Sequence, residues 1–172
     1  MDKVLVLIDI QNLYHSSKNY GGSKISYKHL LEKISEGRNI LEARAYAAHR
    51  DNKNANAFYK ALKMLNVNVI SKRVKIKKGD TQKSTKVIPV HFDVEIATDA
   101  AFYPKDTTTI VLCTGNGNFS YLAKALVDEG MNVEIWSFKE STAEELVNSA
   151  SKFVQIPATC LQAHQEVDTE EQ

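Results

Sequence analysis

The feature that most constrains this chain is a run of five apolar residues, V-L-V-L-I at positions 4–8, followed directly by Asp9. The run has no helical spacing, and three of its residues are β-branched. Such runs are typical of strands buried on both faces, as at the centre of a parallel sheet. Ligands of open α/β sheets lie at the carboxyl ends of the strands. Asp9 therefore has two interpretations: a cap or turn where the strand ends, or a functional carboxylate.

Strands and helices alternate along the rest of the chain. Strands are predicted at 40–48, 67–70, 108–113, 132–136 and 153–156, and helices at 27–34, 54–65, 93–103 and 121–126, with a last, capping-box helix from Ser141. This alternation predicts an α/β fold with a largely parallel sheet. The length of 172 residues fits one domain. We expect that domain to span residues 1–156 and the acidic segment 157–172 to form a flexible tail.

Composition and the chain start limit the class of protein. The two cysteines show no metal-ligand spacing, and Cys113 lies in an apolar strand, which predicts a buried, reduced thiol. The amino terminus enters a short core strand without a basic segment or cleavage site, and no apolar run has membrane length. We therefore expect a soluble, cytoplasmic protein without a membrane partner.

Residues 71–86 interrupt the alternation with dense positive charge. Seven basic residues stand against the single acid Asp80: Lys72, Arg73, Lys75, Lys77, Lys78, Lys83 and Lys86. Alternating apolar residues and the pair Gly79-Asp80 indicate a hairpin or an extended arm. Two interpretations stay open, a solvated edge that prevents sheet-to-sheet pairing and a patch that follows a phosphate backbone. An exposed edge near this basic arm could also pair with a second copy in a homodimer.

The helix predicted at 93–103 begins with a second carboxylate. At 100° per residue, an apolar stripe forms in the sector of Asp93, from Ile96, Ala97, Ala100 and Tyr103. In a right-handed βαβ arrangement, the helix start faces the sheet edge at which the first strand ends. We therefore expect Asp9 and Asp93 to meet across one cleft. Glu95 and Asp99 fall on another face and are expected to be solvated.

A third polar segment, T-G-N-G-N at 114–118, lies between a strand and a helix. It only partly resembles a dinucleotide-binding fingerprint, because Ser120 stands where the third glycine belongs and the segment follows a late strand. It is then either a structural glycine turn or a source of polar ligands directed at Asp9 and Asp93. Two carboxylates with two amides suit Mg²⁺, which can clamp a phosphodiester and activate a water.

Together, three motifs resemble the NYN domain family of the PIN-like nuclease superfamily, whose bacterial branch is often called LabA-like. The motifs are I-D-I-Q-N-L-Y at the first strand end, F-D-V-E-I-A-T-D-A at a helix start and T-G-N-G-N-F at a later strand end. The resemblance covers about residues 3–156. It implies a Rossmann-like, three-layer α/β/α fold with a ribonuclease site that depends on Mg²⁺ or Mn²⁺. It also implies that Asp9, Asp93, Asn116 and Asn118 are the catalytic and metal-binding residues.

The chain departs from the family pattern at positions 116 and 118, where asparagines replace what are commonly aspartates. Each replacement keeps an oxygen but removes a negative charge, which predicts weaker metal binding. The resemblance supports a metal-dependent endoribonuclease, and the asparagines support an alternative module that binds RNA or a protein partner without cleavage. A small-nucleotide-binding or phosphatase-like protein is a third hypothesis. We expect RNA contacts from seven residues: Asn12, Thr114, Lys72, Arg73, Lys75, Lys77 and Lys78.

Overall fold

A computed structural model describes residues 1–20, 23–49, 53–78 and 85–162. Its strands are β1 (Lys3–Asp9), β2 (Lys24–Ile25), β3 (Asn39–His49), β4 (Val67–Arg73), β5 (Lys75–Lys78), β6 (Thr85–Ile88), β7 (Thr109–Cys113), β8 (Asn132–Ser137), β9 (Lys152–Gln155) and β10 (Leu161–Gln162). Its helices are α1 (Ile10–Asn19), α2 (Tyr27–Ile34), α3 (Lys53–Met64), α4 (Asp93–Ala101), α5 (Ser120–Asp128) and α6 (Glu144–Ser149). The predicted alternation of strands and helices is confirmed.

The six main strands are all parallel and form one sheet in the order β4-β3-β1-β7-β8-β9. β1 lies at the centre, and its side chains point to alternate faces because strand side chains have a period of two. Three of them, Val4, Val6 and Ile8, join the core formed with α1, α2 and α3. The other two, Leu5 and Leu7, join the core formed with α4, α5 and α6. The α/β/α layering and the doubly buried first strand are therefore confirmed.

The strand register brings polar residues together at one sheet edge. Ile8 pairs with Cys113, so Asp9 lies beside Thr114, the residue that follows β7. Helix α1 begins directly after Asp9, whose carboxylate accepts a hydrogen bond from the backbone N–H of Asn12 at 3.1 Å. Asp9 is thus the N-cap of α1, as the structural interpretation predicted. The same position faces the carboxyl edge of the sheet.

Two expectations about local structure are wrong. Helix α6 begins at Glu144, and no side chain caps it, because Ser141 belongs to a preceding 3-10 turn. Asp99 is not solvated: it accepts a hydrogen bond from Tyr46 at 2.6 Å and pairs with Arg44 at 2.7 Å. Glu95 pairs with Lys72 at 2.6 Å. Helix α4 presents these acids to the basic and hydroxyl side chains of β3 and β4, which a helical projection of one segment cannot reveal.

The described chain continues past residue 156, where the sequence placed the end of the domain. β10 pairs with β2, and Cys160 is fully buried beside them. The acidic residues of the expected tail lie outside the described residues. Residues 75–78 and 85–88 pair as an antiparallel hairpin, one of the two forms expected for the basic arm, and residues 79–84 lie outside the described ranges.

The described part of the chain contains no helix that is both long and apolar enough to cross a membrane. Cys113 is a free, fully buried thiol, as predicted. Burial raises its pKa, and so does the nearby carboxylate of Glu134. The thiol therefore belongs to the core and stays apart from the polar sheet edge.

Candidate functional site

A cleft of about 390 Å³ lies at the carboxyl end of β1, against the start of α4. Four of the residues singled out in the sequence line it: Asp9, Asn12, Asp93 and Asn116. The remaining lining residues are Gln11, His15 and the segment 89–92 that leads into α4. The two carboxylates therefore come from different elements and share one cleft, as the right-handed βαβ arrangement requires.

The carboxylate of Asp9 is held by its neighbours through both oxygens. Oδ1 accepts from the N–H of Asn12, and Oδ2 accepts from the hydroxyl of Thr114 at 3.2 Å. Thr114 is 1% exposed and is itself fixed by accepting from the N–H of Asn116 at 3.2 Å. Burial raises the pKa of Asp9, and the nearby charge of Asp93 adds to this, while the hydrogen bonds oppose it. A positive charge in the cleft would therefore favour the ionised form of Asp9.

Asn12 connects the first helix to the loop after β7. Its side-chain oxygen accepts from the backbone N–H of Gly115 at 2.8 Å. Gly115 is packed so closely that a Cβ there would lie 2.6 Å from the carbonyl oxygen of Ser141. Glycine is therefore required by close backbone approach, and the glycine-rich segment is in this respect a structural turn.

The two asparagines make hydrogen bonds within the site. The side-chain oxygen of Asn116 accepts from the backbone N–H of Asn118 at 3.1 Å and opens a 3-10 turn. The amide of Asn118 donates to Oδ2 of Asp93 at 2.9 Å. An aspartate at position 118 could not donate this bond when ionised. Asn118 is exposed and does not line the cleft, whereas Asn116 does.

The basic residues at the end of β4 lie beside the cleft. Lys72 and Arg73 line a second cavity, of about 460 Å³, together with Ile88 and the segment 89–91. Lys72 donates to the carbonyl of His91 at 2.8 Å and pairs with Glu95, so it ties β4 to the wall of the first cleft. The side chains of Lys75, Lys77 and Lys78 lie outside what the structure describes.

Sequence reasoning missed Gln11, His15 and the wall formed by 89–92. Gln11, Asn12 and His15 lie at spacings that share one face of a helix, but residues 10–15 were open to a loop or a helix. Once α1 is known to begin at Ile10, that spacing is a usable signal. The wall had no such signal, because tertiary packing alone brings the segment before α4 against β1.

The donor set of the cleft suits a hard cation. The described residues contain no cluster of three His, Cys, Asp or Glu side chains placed to hold a metal. Mg²⁺, however, is usually held by one or two carboxylates and keeps several waters. Asp9 and Asp93 meet that requirement, and the absence of thiolates among the cleft residues does not suit a structural zinc site.

Comparisons with known proteins agree with this geometry. A family model described as the NYN domain matches residues 3–157. No curated protein sequence matches the chain. A solved structure of a protein of unknown function from Vibrio parahaemolyticus is 23% identical in sequence, with a TM-score of 0.80 over 94% of this chain and 96% of that one. This likeness concerns the fold alone.

Proposed function

Since this chain belongs to the NYN domain family, we propose that it is a metal-dependent ribonuclease that hydrolyses RNA phosphodiester bonds. Asp9 and Asp93 would hold Mg²⁺ or Mn²⁺, and Asn116, which lines the same cleft, would add an amide ligand or orient a water. The observation that carries the proposal is the placement of two carboxylates from separate elements in one cleft.

The electrostatics of the cleft support a cation there. Burial and the charge of Asp93 both oppose ionisation of Asp9, so neither carboxylate is compensated by a lysine or arginine within the cleft. Like charges brought together in a partly buried site are costly unless a cation compensates them. A divalent ion bound between the two carboxylates would provide that compensation.

Each part of the chain then has a defined task. A bound divalent ion would stabilise charge on the phosphate and lower the pKa of an attacking water. Asn12 and Thr114 fix the orientation of Asp9, and Asn118 fixes that of Asp93. Arg73 and the lysines of the β5–β6 hairpin would attract the RNA backbone, which makes binding fall steeply with salt.

The test is cleavage of labelled RNA with Mg²⁺, with Mn²⁺ and with EDTA. We expect cleavage with either metal and none in EDTA. We also expect Mn²⁺ to bind in calorimetry without RNA, since binding does not require turnover. Cleavage that persists in EDTA would contradict the mechanism, and so would an absence of both cleavage and metal binding at millimolar Mn²⁺.

The hydrogen bond from Asn118 to Asp93 favours a second candidate, a module of the same fold that binds RNA or a protein partner without cleavage. The amide of Asn118 already occupies one oxygen of Asp93, and it leaves the site one negative charge short of an aspartate at that position. In this case RNA would bind equally well in EDTA, and no divalent metal would yield cleavage products.

Replacing Asn118 with aspartate tests whether this amide limits metal binding. We expect Asn118→Asp to bind Mn²⁺ about tenfold more tightly, because metal affinity rises with the number of charged ligands. Without metal, its melting temperature should fall, since two carboxylates would replace the hydrogen bond. The exposed Asn148 in α6 provides a control with the same charge change, Asn148→Asp. Equal Mn²⁺ affinity in the two variants would contradict this prediction.

A further inference from the structure

The cavity beside the candidate site is continuous with it. The first cleft and the second cavity are both lined by Pro89, Val90 and His91, so these three residues form their common wall. Arg73 lies at the carboxyl end of β4, and Asp9 lies at the carboxyl end of β1 in the same parallel sheet. A ligand that occupies the first cleft can therefore extend into the second along one sheet edge.

The second cavity has two chemically different sides. Basic residues, Lys72 and Arg73, come from the end of β4, and apolar residues, Ile88, Pro89 and Val90, come from the other side. Ile88 is 42% exposed although it is a large aliphatic side chain, and Pro89 is exposed beside it. Charge on one side and apolar surface on the other match a nucleotide, whose phosphate is anionic and whose base has apolar faces.

We propose that this cavity binds one unpaired nucleotide of RNA, next to the phosphate held in the first cleft. The inference rests on the proposed function and adds a substrate class to it, single-stranded RNA. The base would lie against Ile88, Pro89 and Val90, and the phosphate would face Arg73. Lys72 acts here chiefly by holding the wall, through His91 and Glu95.

The requirement for an unpaired base follows from the lining. In an RNA duplex both faces of a base are stacked on neighbours, and its edges are paired, so no apolar face is available to the protein. A base in a single strand can turn towards the protein and exchange water for the apolar wall. Discrimination against duplex RNA would thus arise at this cavity, independently of whether the first cleft performs cleavage.

The test is RNA binding in EDTA, measured by fluorescence anisotropy with a labelled single strand of about 12 nucleotides, within the range of known single-strand site sizes. Ile88→Glu places a negative charge in the cavity at an exposed strand position. Met64→Glu is the control, because Met64 is 78% exposed at the end of α3, near the opposite edge of the sheet. Both variants change the net charge equally.

We expect Ile88→Glu to weaken single-strand binding about tenfold, the size typical for loss of one base contact. Met64→Glu should stay within roughly twofold of the wild type, as for other remote surface changes. The same sequence in a blunt duplex should bind the wild type less tightly than the single strand. Equal losses in the two variants, or equal affinity for duplex and single strand, would overturn the subsite. Because no metal is present, a wild type that binds as expected but never cleaves would contradict the proposed function and leave the subsite supported.

Discussion

Replacing Asp9 with asparagine is expected to lower metal-dependent RNA cleavage by roughly 10²–10³-fold, because a bound metal supplies several kcal/mol of transition-state stabilisation. The fold should survive. Asparagine is as good an N-cap as aspartate, so the bond from the N–H of Asn12 is kept. Since burial opposes the charge of Asp9, the neutral amide should leave the melting temperature unchanged or higher. Cleavage rates and thermal melts, each with and without Mn²⁺, measure both effects.

The matched control is Asp106→Asn, which removes an exposed carboxylate paired with Lys3 at the opposite end of β1. It should cleave RNA at the wild-type rate. A metal ion that binds the folded state raises its stability, so Mn²⁺ should raise the melting temperature of the control and of the wild type but not that of Asp9→Asn. Wild-type cleavage by Asp9→Asn would remove this carboxylate from the mechanism.

The largest effect on stability is expected from Arg38→Met. Arg38 donates to the carboxylate of Glu134 at 3.0 Å, and Glu134 is only 5% exposed. The other oxygen of Glu134 accepts from the indole N–H of Trp136 at 2.8 Å. Removing one partner of a buried ion pair costs about 3–5 kcal/mol. Because Arg38 is partly exposed and Trp136 keeps its bond, we expect about 2–3 kcal/mol, measured by urea unfolding.

An exposed ion pair elsewhere in the chain provides the comparison. Lys124 pairs with Asp128 one turn along α5, with both side chains more than half exposed, so Lys124→Met should cost less than about 0.5 kcal/mol. The double variant Arg38→Met/Glu134→Gln should recover much of the lost stability, since the buried charge is gone and an acceptor remains for Trp136. A loss in Arg38→Met as small as that in Lys124→Met would show that Glu134 does not depend on Arg38.

The layering of the fold could be predicted because its periodicities are strong. The apolar run before Asp9 can be satisfied only by burial on both faces, and the stripe on α4 fixes which side faces the sheet. The errors arose where tertiary contacts decide. Ser141 has the sequence of a capping residue, yet the chain there packs against Gly115 and enters the helix three residues later. Glu95 and Asp99 have the positions of solvated residues, yet the sheet presents basic groups to both.

The candidate site could be predicted in part, for a related reason. Strand order follows from topology, so Asp9, Asp93 and the segment after β7 were expected at one edge. The orientation of each amide depends on hydrogen bonds between separate elements. Sequence alone therefore could not indicate that Asn118 donates to Asp93, or that Lys72 is engaged with Glu95. The residues of the wall before α4 were missed because no local pattern marks them.

The capping role of Asp9 bears on how this site would change over evolutionary time. A lineage that lost activity would still gain from an acid or amide at position 9, because the start of α1 needs an acceptor there. Asp93 has no comparable task, since it makes no capping bond and contributes only a modest charge at the start of α4. Drift would therefore erase Asp93 first. Among distant relatives, an acid at position 93 distinguishes a working site from an inherited scaffold better than one at position 9.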